Sequence, residues 1–183
     1  MIVARWRARR ANRILIDQIH GEIVAAARAP ALYTRLAVAD SVDGRFEMVA
    51  LHAGLALRRL AELGDLGCQV AQDLVDGVFR GFEDALREMS YGDVGVARRM
   101  KKMAEAFCGR GRAYGEALAA GDADALAAAL ARNVYGARDA DSAPQARALA
   151  AYVAAAAAAL ERVEIERFVG GDFRFPNLIG EAR

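Results

Sequence analysis

Lysine is nearly missing from this 183-residue chain: of its 25 basic side chains only Lys101 and Lys102 are lysines, and they are adjacent. Histidine is limited to His20 and His52, cysteine to Cys68 and Cys108, and proline to Pro30, Pro144 and Pro176. Each shortage excludes something. The two cysteines have neither CxxC nor other metal-ligand spacing, so no zinc ribbon or disulfide framework is expected. With no signal peptide ahead of them they read as reduced thiols in a cytosolic compartment. Zinc-hydrolase, P-loop and dinucleotide fingerprints are absent. Glu47 and His52 are five residues apart, which is not the Glu-x-x-His spacing of di-iron bundles. No catalytic set, metal or cofactor is therefore expected. Scarce proline and β-branched runs, against abundant alanine, leave little to interrupt helices. No stretch is long and apolar enough to span a membrane. The alanine run over 148–160 would be about 20 Å long as a helix, short of the ~30 Å hydrocarbon core, and reads as a helix packed closely on a neighbour.

What is present is a foldable composition, 55% hydrophobic and 27% charged, sized for one domain with a single core. The net charge of +1 argues against a general polyanion binder, DNA included. The charge is nevertheless segregated. Residues 1–30 carry six arginines, Arg5, Arg7, Arg9, Arg10, Arg13 and Arg28, against Asp17 and Glu22. Residues 62–86 are acidic, with Arg80 as their one base, and 87–112 turn basic again. Such blocks steer partners even when the total is near zero.

Periodicity predicts an all-α, single-domain bundle of about six helices with an irregular C-terminal tail. A basic first helix over 4–29 stops at Pro30, and an irregular stretch follows to Ser41. A second helix over 42–63 is apolar on both sides, Phe46, Val49, Ala53, Leu57 and Leu60 on one and Met48, Leu51 and Leu55 on the other, and belongs at the centre of the core. A third over 66–89 is amphipathic. Ser90-Tyr91-Gly92 reads as a turn and Asp93 as the N-cap of a fourth helix over 94–119. On that fourth helix Val96, Met100, Met103, Phe107 and Tyr114 share one side and Arg98, Lys101, Lys102, Glu105 and Arg112 the other. Gly109 and Gly111 invite a kink or a close approach there. Gly121-Asp122 ends it and caps a short helix to about Tyr135. Ser142-Ala143-Pro144-Gln145 resembles a capping box for an alanine-rich helix to about Arg167. Residues 170–176 are expected as an extended segment on the surface.

Three features carry alternative readings. Asp73 and Asp76 share a helical face, which suits a metal-binding diacid on a small lipid- or isoprenoid-handling enzyme, or a solvated face paired with Arg80 and Arg87. His52 is either a core-edge histidine or a polar spot in a groove. The basic face of the fourth helix is either plain solvent surface or a contact for anionic lipid, ribosomal RNA or an acidic protein. A peripheral membrane module using the basic first helix is a further alternative.

Several strings bear on this choice when read together. They are Asp40-Ser41-Val42-Asp43-Gly44-Arg45-Phe46-Glu47 with Leu51-His52, then Gln72-Asp73-Leu74-Val75-Asp76 with Phe79. Leu86-Arg87-Glu88-Met89, Gly92-Asp93, Arg99-Met100-Lys101-Lys102-Met103 and Phe107-Cys108-Gly109-Arg110 with Tyr114 follow. In this order, over residues 30–135, the chain resembles the ubiquinol–cytochrome c chaperone family of mitochondria and α-proteobacteria. It departs from the pattern at Ser90, commonly Gly, and at Cys108, commonly Tyr. The resemblance implies a non-enzymatic assembly factor for the cytochrome bc1 complex, acting on newly made cytochrome b. A soluble bacterial member is expected, cytoplasmic or peripheral at the inner membrane, with an anionic bilayer or the ribosome as further contacts. Expected client contacts are Asp43, Gly44, Arg45, Phe46 and His52, with Arg98, Arg99, Lys101, Lys102, Met103, Gly109 and Arg110.

Overall fold

The computed structural model describes residues 2–176, with side chains from residue 13 onward. Among these residues it is all-helical: α1 (Ile2–Ala27), α2 (Pro30–Thr34), α3 (Val42–Ala61), α4 (Gly64–Glu88), α5 (Asp93–Ala120), α6 (Ala123–Val134), α7 (Gln145–Leu160) and α8 (Ile165–Val169). Six are long and two are single turns. The arginines at 5, 7, 9 and 10, and the tail from 177 onward, lie outside the described side chains.

The helix apolar on both sides is the hub. α3 packs against α1, α4, α5, α6 and α7, and buries Met48, Leu51, Ala53, Leu55, Ala56 and Leu60 on its several faces. α1 lays Ile16, Ile19, Ile23 and Ala27 into the core. It crosses α4 closely because Gly77 and Gly81 leave room for Ile16 and His20; a Cβ at either glycine would lie 2.9 to 3.0 Å from those side chains.

Helix ends explain most of the turns. Ser41 caps α3 by accepting from the Gly44 amide at 3.1 Å. α4 ends in a Schellman motif: Ser90 N–H donates to Arg87 O and Tyr91 N–H to Leu86 O, with Ser90 left-handed at φ 63°. That is the position where the family pattern commonly has glycine. Gly121 plays the same part after α5, also at φ 63°, and Asp122 caps α6 through the Ala125 amide at 2.8 Å.

Four expectations need correction. Asp93 is not the cap of α5: Gly92 holds that place without a side-chain bond, and Asp93 instead binds Arg87 at 2.8 Å. The Ser142 capping box does not form, because Asp139 takes both the amide and the hydroxyl of Ser142 and α7 starts uncapped after Pro144. α5 runs unbroken past Gly109 and Gly111, where an added Cβ would meet nothing within 4 Å. The final helix stops at Leu160 and resumes only for one turn.

The tail differs most from expectation. It is extended, but it is not a surface strand. Phe168, Phe173 and Phe175 are buried and stacked in series, with centroids 4.7 and 5.7 Å apart. The Phe175 amide donates to Glu22 of α1 at 3.1 Å, so the tail closes over the base of the bundle between α1 and α3.

Candidate functional site

The expected contact residues divide into two settings. The first turn of α3 and the face of α5 turned towards it form one seam. Arg99 donates to Asp43 at 2.8 Å and to the Tyr91 hydroxyl at 3.2 Å, with its guanidinium 5.4 Å from the Tyr91 ring centroid. Arg110 grips Glu47 with a two-pronged fork, Nε to Oε2 and Nη2 to Oε1, and lies 5.7 Å from the Phe46 ring centroid. The Glu47 side chain is only 8% exposed and Arg110 20%. Burial pushes the Glu47 carboxyl up and the Arg110 fork pulls it back. This pairing joins residues 63 positions apart and was missed from sequence. Its one signal was a carboxylate between Phe46 and Met48 on a helix apolar on both sides.

Behind the seam, aromatic rings from three helices interlock. Phe46 of α3 meets Phe82 of α4 at 5.0 Å, Phe82 meets Phe79 at 5.8 Å, and Phe79 meets Phe107 of α5 at 5.5 Å. Beside them opens a cleft of ≈ 440 Å³ between α1, α3 and α4, closed at one side by Met103. Val24, Val49, Phe46, Phe82 and Ala85 wall it; Arg28 and Arg45 stand at its rim with exposed Val42 and Met89. Arg45 is held there by Asp40 at 2.8 Å. His20 lines the cleft too, its pKa lowered by burial against the raising effect of Asp17.

Gly44 is buried and its role is steric: a Cβ would lie 2.0 Å from the Ala39 carbonyl oxygen. It lets the segment before α3 fold against the helix. Lys101, Lys102, Arg98 and Gly109 are exposed on the outer side of α5, while Met100, Met103 and Phe107 pack inward.

His52 belongs to the other setting, and its expected place in a groove is corrected. It is wholly buried. Nδ1 donates to the Met48 carbonyl at 2.7 Å, Nε2 accepts from the Tyr152 hydroxyl at 2.8 Å, and Phe175 packs edge-on at 4.9 Å. Burial lowers its pKa to about 4, outweighing the Met48 bond. It is a neutral hydrogen-bonded core group sealed by the tail, not a surface contact.

Asp73 and Asp76 do not line the cleft. Asp76 is exposed, and no cluster of three His, Cys, Asp or Glu able to hold a metal occurs among the described residues.

Fold and site together define a single-domain helical protein with an open apolar cleft beside a basic helix face. The family model described as ubiquinol-cytochrome C chaperone matches residues 34–175, and the chain belongs to that family. The match runs on through α7 and the buried tail, beyond residue 135, the end of the resemblance seen in the sequence. A solved structure, the Cbp3 homolog from Brucella abortus, is 39% identical with a TM-score of 0.84, covering 97% of each chain. A comparison with curated protein sequences gave no match.

Proposed function

We propose that this protein is a non-enzymatic assembly chaperone for the ubiquinol–cytochrome c reductase (bc1) complex, holding newly made cytochrome b through the apolar cleft and the basic face of α5. The observation that carries this is the cleft itself, a ≈ 440 Å³ apolar opening walled by Phe46, Val49 and Phe82 and rimmed by Met89, Met103, Arg28 and Arg45. An unassembled multi-span membrane protein exposes apolar segments, and flexible methionines beside aromatic walls adapt to many of them. Arginines at the rim and cations on α5 hold the polar loops next to such segments. The first turn of α3, Asp43 to Phe46, frames the opening, and the Glu47–Arg110 and Asp43–Arg99 pairs fix α5 as its neighbour. No described helix is long and apolar enough to cross a membrane, so in this reading the chaperone meets its client from outside the bilayer.

The test is genetic and direct. Deleting the gene should lower assembled bc1 complex and cytochrome b, and the wild-type gene should restore both. Ala85→Arg places a large cation in the cleft at an exposed position and should restore neither while leaving the fold intact by circular dichroism. Normal bc1 levels in the deletion strain, or full restoration by a folded Ala85→Arg protein, contradicts the proposal.

A further inference from the structure

The two histidines of the chain are treated in opposite ways. His52 has both ring nitrogens bonded within the core. His20 forms no hydrogen bond among the described residues. Neither of its nitrogens is among the sealed polar atoms there, so both are open to the cleft that His20 lines. Its place on α1 is one for an aliphatic side chain. α1 and α4 run in the same direction here: Ile16 meets Gly77 and His20 meets Gly81. Val24 and Arg28 follow at the same four-residue step and line the cleft with His20. The row passes from a buried Ile16, through a half-buried His20 and Val24, to an exposed Arg28. His20 therefore marks the inner end of a trough about 12 Å long, the helical rise of eight residues. Spread over that length, ≈ 440 Å³ gives a section roughly 6 Å across, too narrow for a whole helix and suited to one row of its side chains. Near His20 the walls are apolar, Val24, Val49 and Phe82, and Asp17, one turn back on α1, is the charge that the ring feels. Gly81 leaves the ring its room: a Cβ there would stand 3.0 Å from Cε1 and 3.2 Å from Nε2.

We propose that His20 is a specificity-determining residue of the cleft: the segment held there is an apolar helix that carries one hydroxyl or carboxamide side chain, and that group hydrogen-bonds the His20 ring. The inference rests on the cleft reading above and names the chemistry of the segment that the cleft takes. A wholly apolar row laid over His20 strips water from both nitrogens and returns no hydrogen bond, which is the costly way to bury a polar group. Leucine at position 20 would serve such a client better. Burial keeps the imidazole neutral against the pull of Asp17, and a neutral imidazole offers one donor and one acceptor. Hydroxyl and carboxamide groups offer both as well. A carboxylate only accepts and an ammonium only donates, so each answers half of the ring and brings a charge into an apolar trough. Membrane-spanning helices that carry a hydroxyl or carboxamide set it against another helix of the assembled protein. In an unassembled client that partner is missing, and His20 takes its place.

The probes are synthetic helical peptides with an apolar row at i, i+4 and i+7 on an otherwise alanine–glutamine surface. One is a leucine host, and its twins carry asparagine at each row position in turn. Fluorescence anisotropy of labelled peptides gives their dissociation constants for the full chain and for its His20→Leu and His20→Gln variants, whose folds are checked by circular dichroism. At one row position, the preference for the asparagine twin over the leucine host should drop about tenfold between wild type and His20→Leu. The leucine host should bind His20→Leu more tightly than it binds wild type. His20→Gln keeps a donor and an acceptor and should retain most of the preference. A preference unchanged by His20→Leu at all row positions, or lost as fully in His20→Gln as in His20→Leu, overturns the proposal, while binding of the host leaves the cleft reading standing. If no peptide binds the wild type, host included, the cleft reading falls and this inference falls with it.

Discussion

Two ionisable residues of α3, Glu47 and His52, are buried, one turn and a half apart on the same helix. They are buried in opposite ways. Glu47 faces α5 at the edge of the bundle and is satisfied by a charge, the fork of Arg110. His52 faces α7 and the tail, is satisfied without charge by the Met48 carbonyl and the Tyr152 hydroxyl, and is covered by Phe175. The α5 side is therefore held by ion pairs across a seam open to water at its rim. The α7 side is closed by rings. The difference makes the α3–α5 seam the charged, partly hydrated side of the helix and the α7 side its uncharged, closed one.

The comparison can be broken in several places, and the largest effect should come from the charged pair. Arg110→Met leaves the Glu47 carboxylate without its partner and should destabilise by about 3 kcal/mol. The double change Glu47→Met with Arg110→Met should recover most of that, because a well-packed apolar pair removes the uncompensated charge. Urea titrations of the two single variants and the double variant measure the coupling.

Acid should act on the other side. Folded His52 stays neutral down to about 4, whereas the unfolded chain takes up a proton near 6.5. Between those values the unfolded state binds more protons, so stability present above pH 6.5 is lost as pH falls, by about 3 kcal/mol in all. Glu47 has the opposite sign. Burial raises its folded pKa, so the folded state takes up its proton first and the carboxyl adds nothing to the acid loss. Denaturation midpoints between pH 7.5 and pH 4.5 should therefore fall steeply in wild type and in the Glu47/Arg110 double-methionine protein alike. A flat profile would remove His52 from the closed core.

The smallest effects concern backbone freedom. Ser90 is left-handed at φ 63°, and Ser90→Gly should stabilise by up to ~1 kcal/mol. Gly109→Ala and Gly111→Ala sit in open space within α5 and should each add up to ~1 kcal/mol. Thermal melts read these shifts.

What was legible from sequence follows from the range of the interactions. Helical period located all six long helices and the central place of α3, because a helix writes its own environment at spacings of three and four residues. It placed Lys101 and Lys102 outward and Met100, Met103 and Phe107 inward for the same reason, and Gly121-Asp122 announced a boundary that the structure keeps. The misses are competitions or long-range contacts. Asp139 outbid Gln145 for Ser142, and Arg87 took Asp93 from the helix end. Phe175 docks on a histidine more than a hundred positions earlier and Phe173 packs between Phe168 and Phe175, and nothing local distinguishes such rings from exposed ones. The Glu47–Arg110 pair spans 63 positions, and the setting of Glu47 between Phe46 and Met48 signals burial without naming the partner.

The central claim is that client binds in the cleft on the α1–α3–α4 side and not on the alanine-rich side. Photocrosslinking from Ala85, an exposed cleft residue, and from Ala154, exposed on α7, tests it in cells expressing the bc1 complex. The predicted result is an adduct with cytochrome b from Ala85 and none from Ala154. An adduct from Ala154 alone, or none from Ala85, would contradict it.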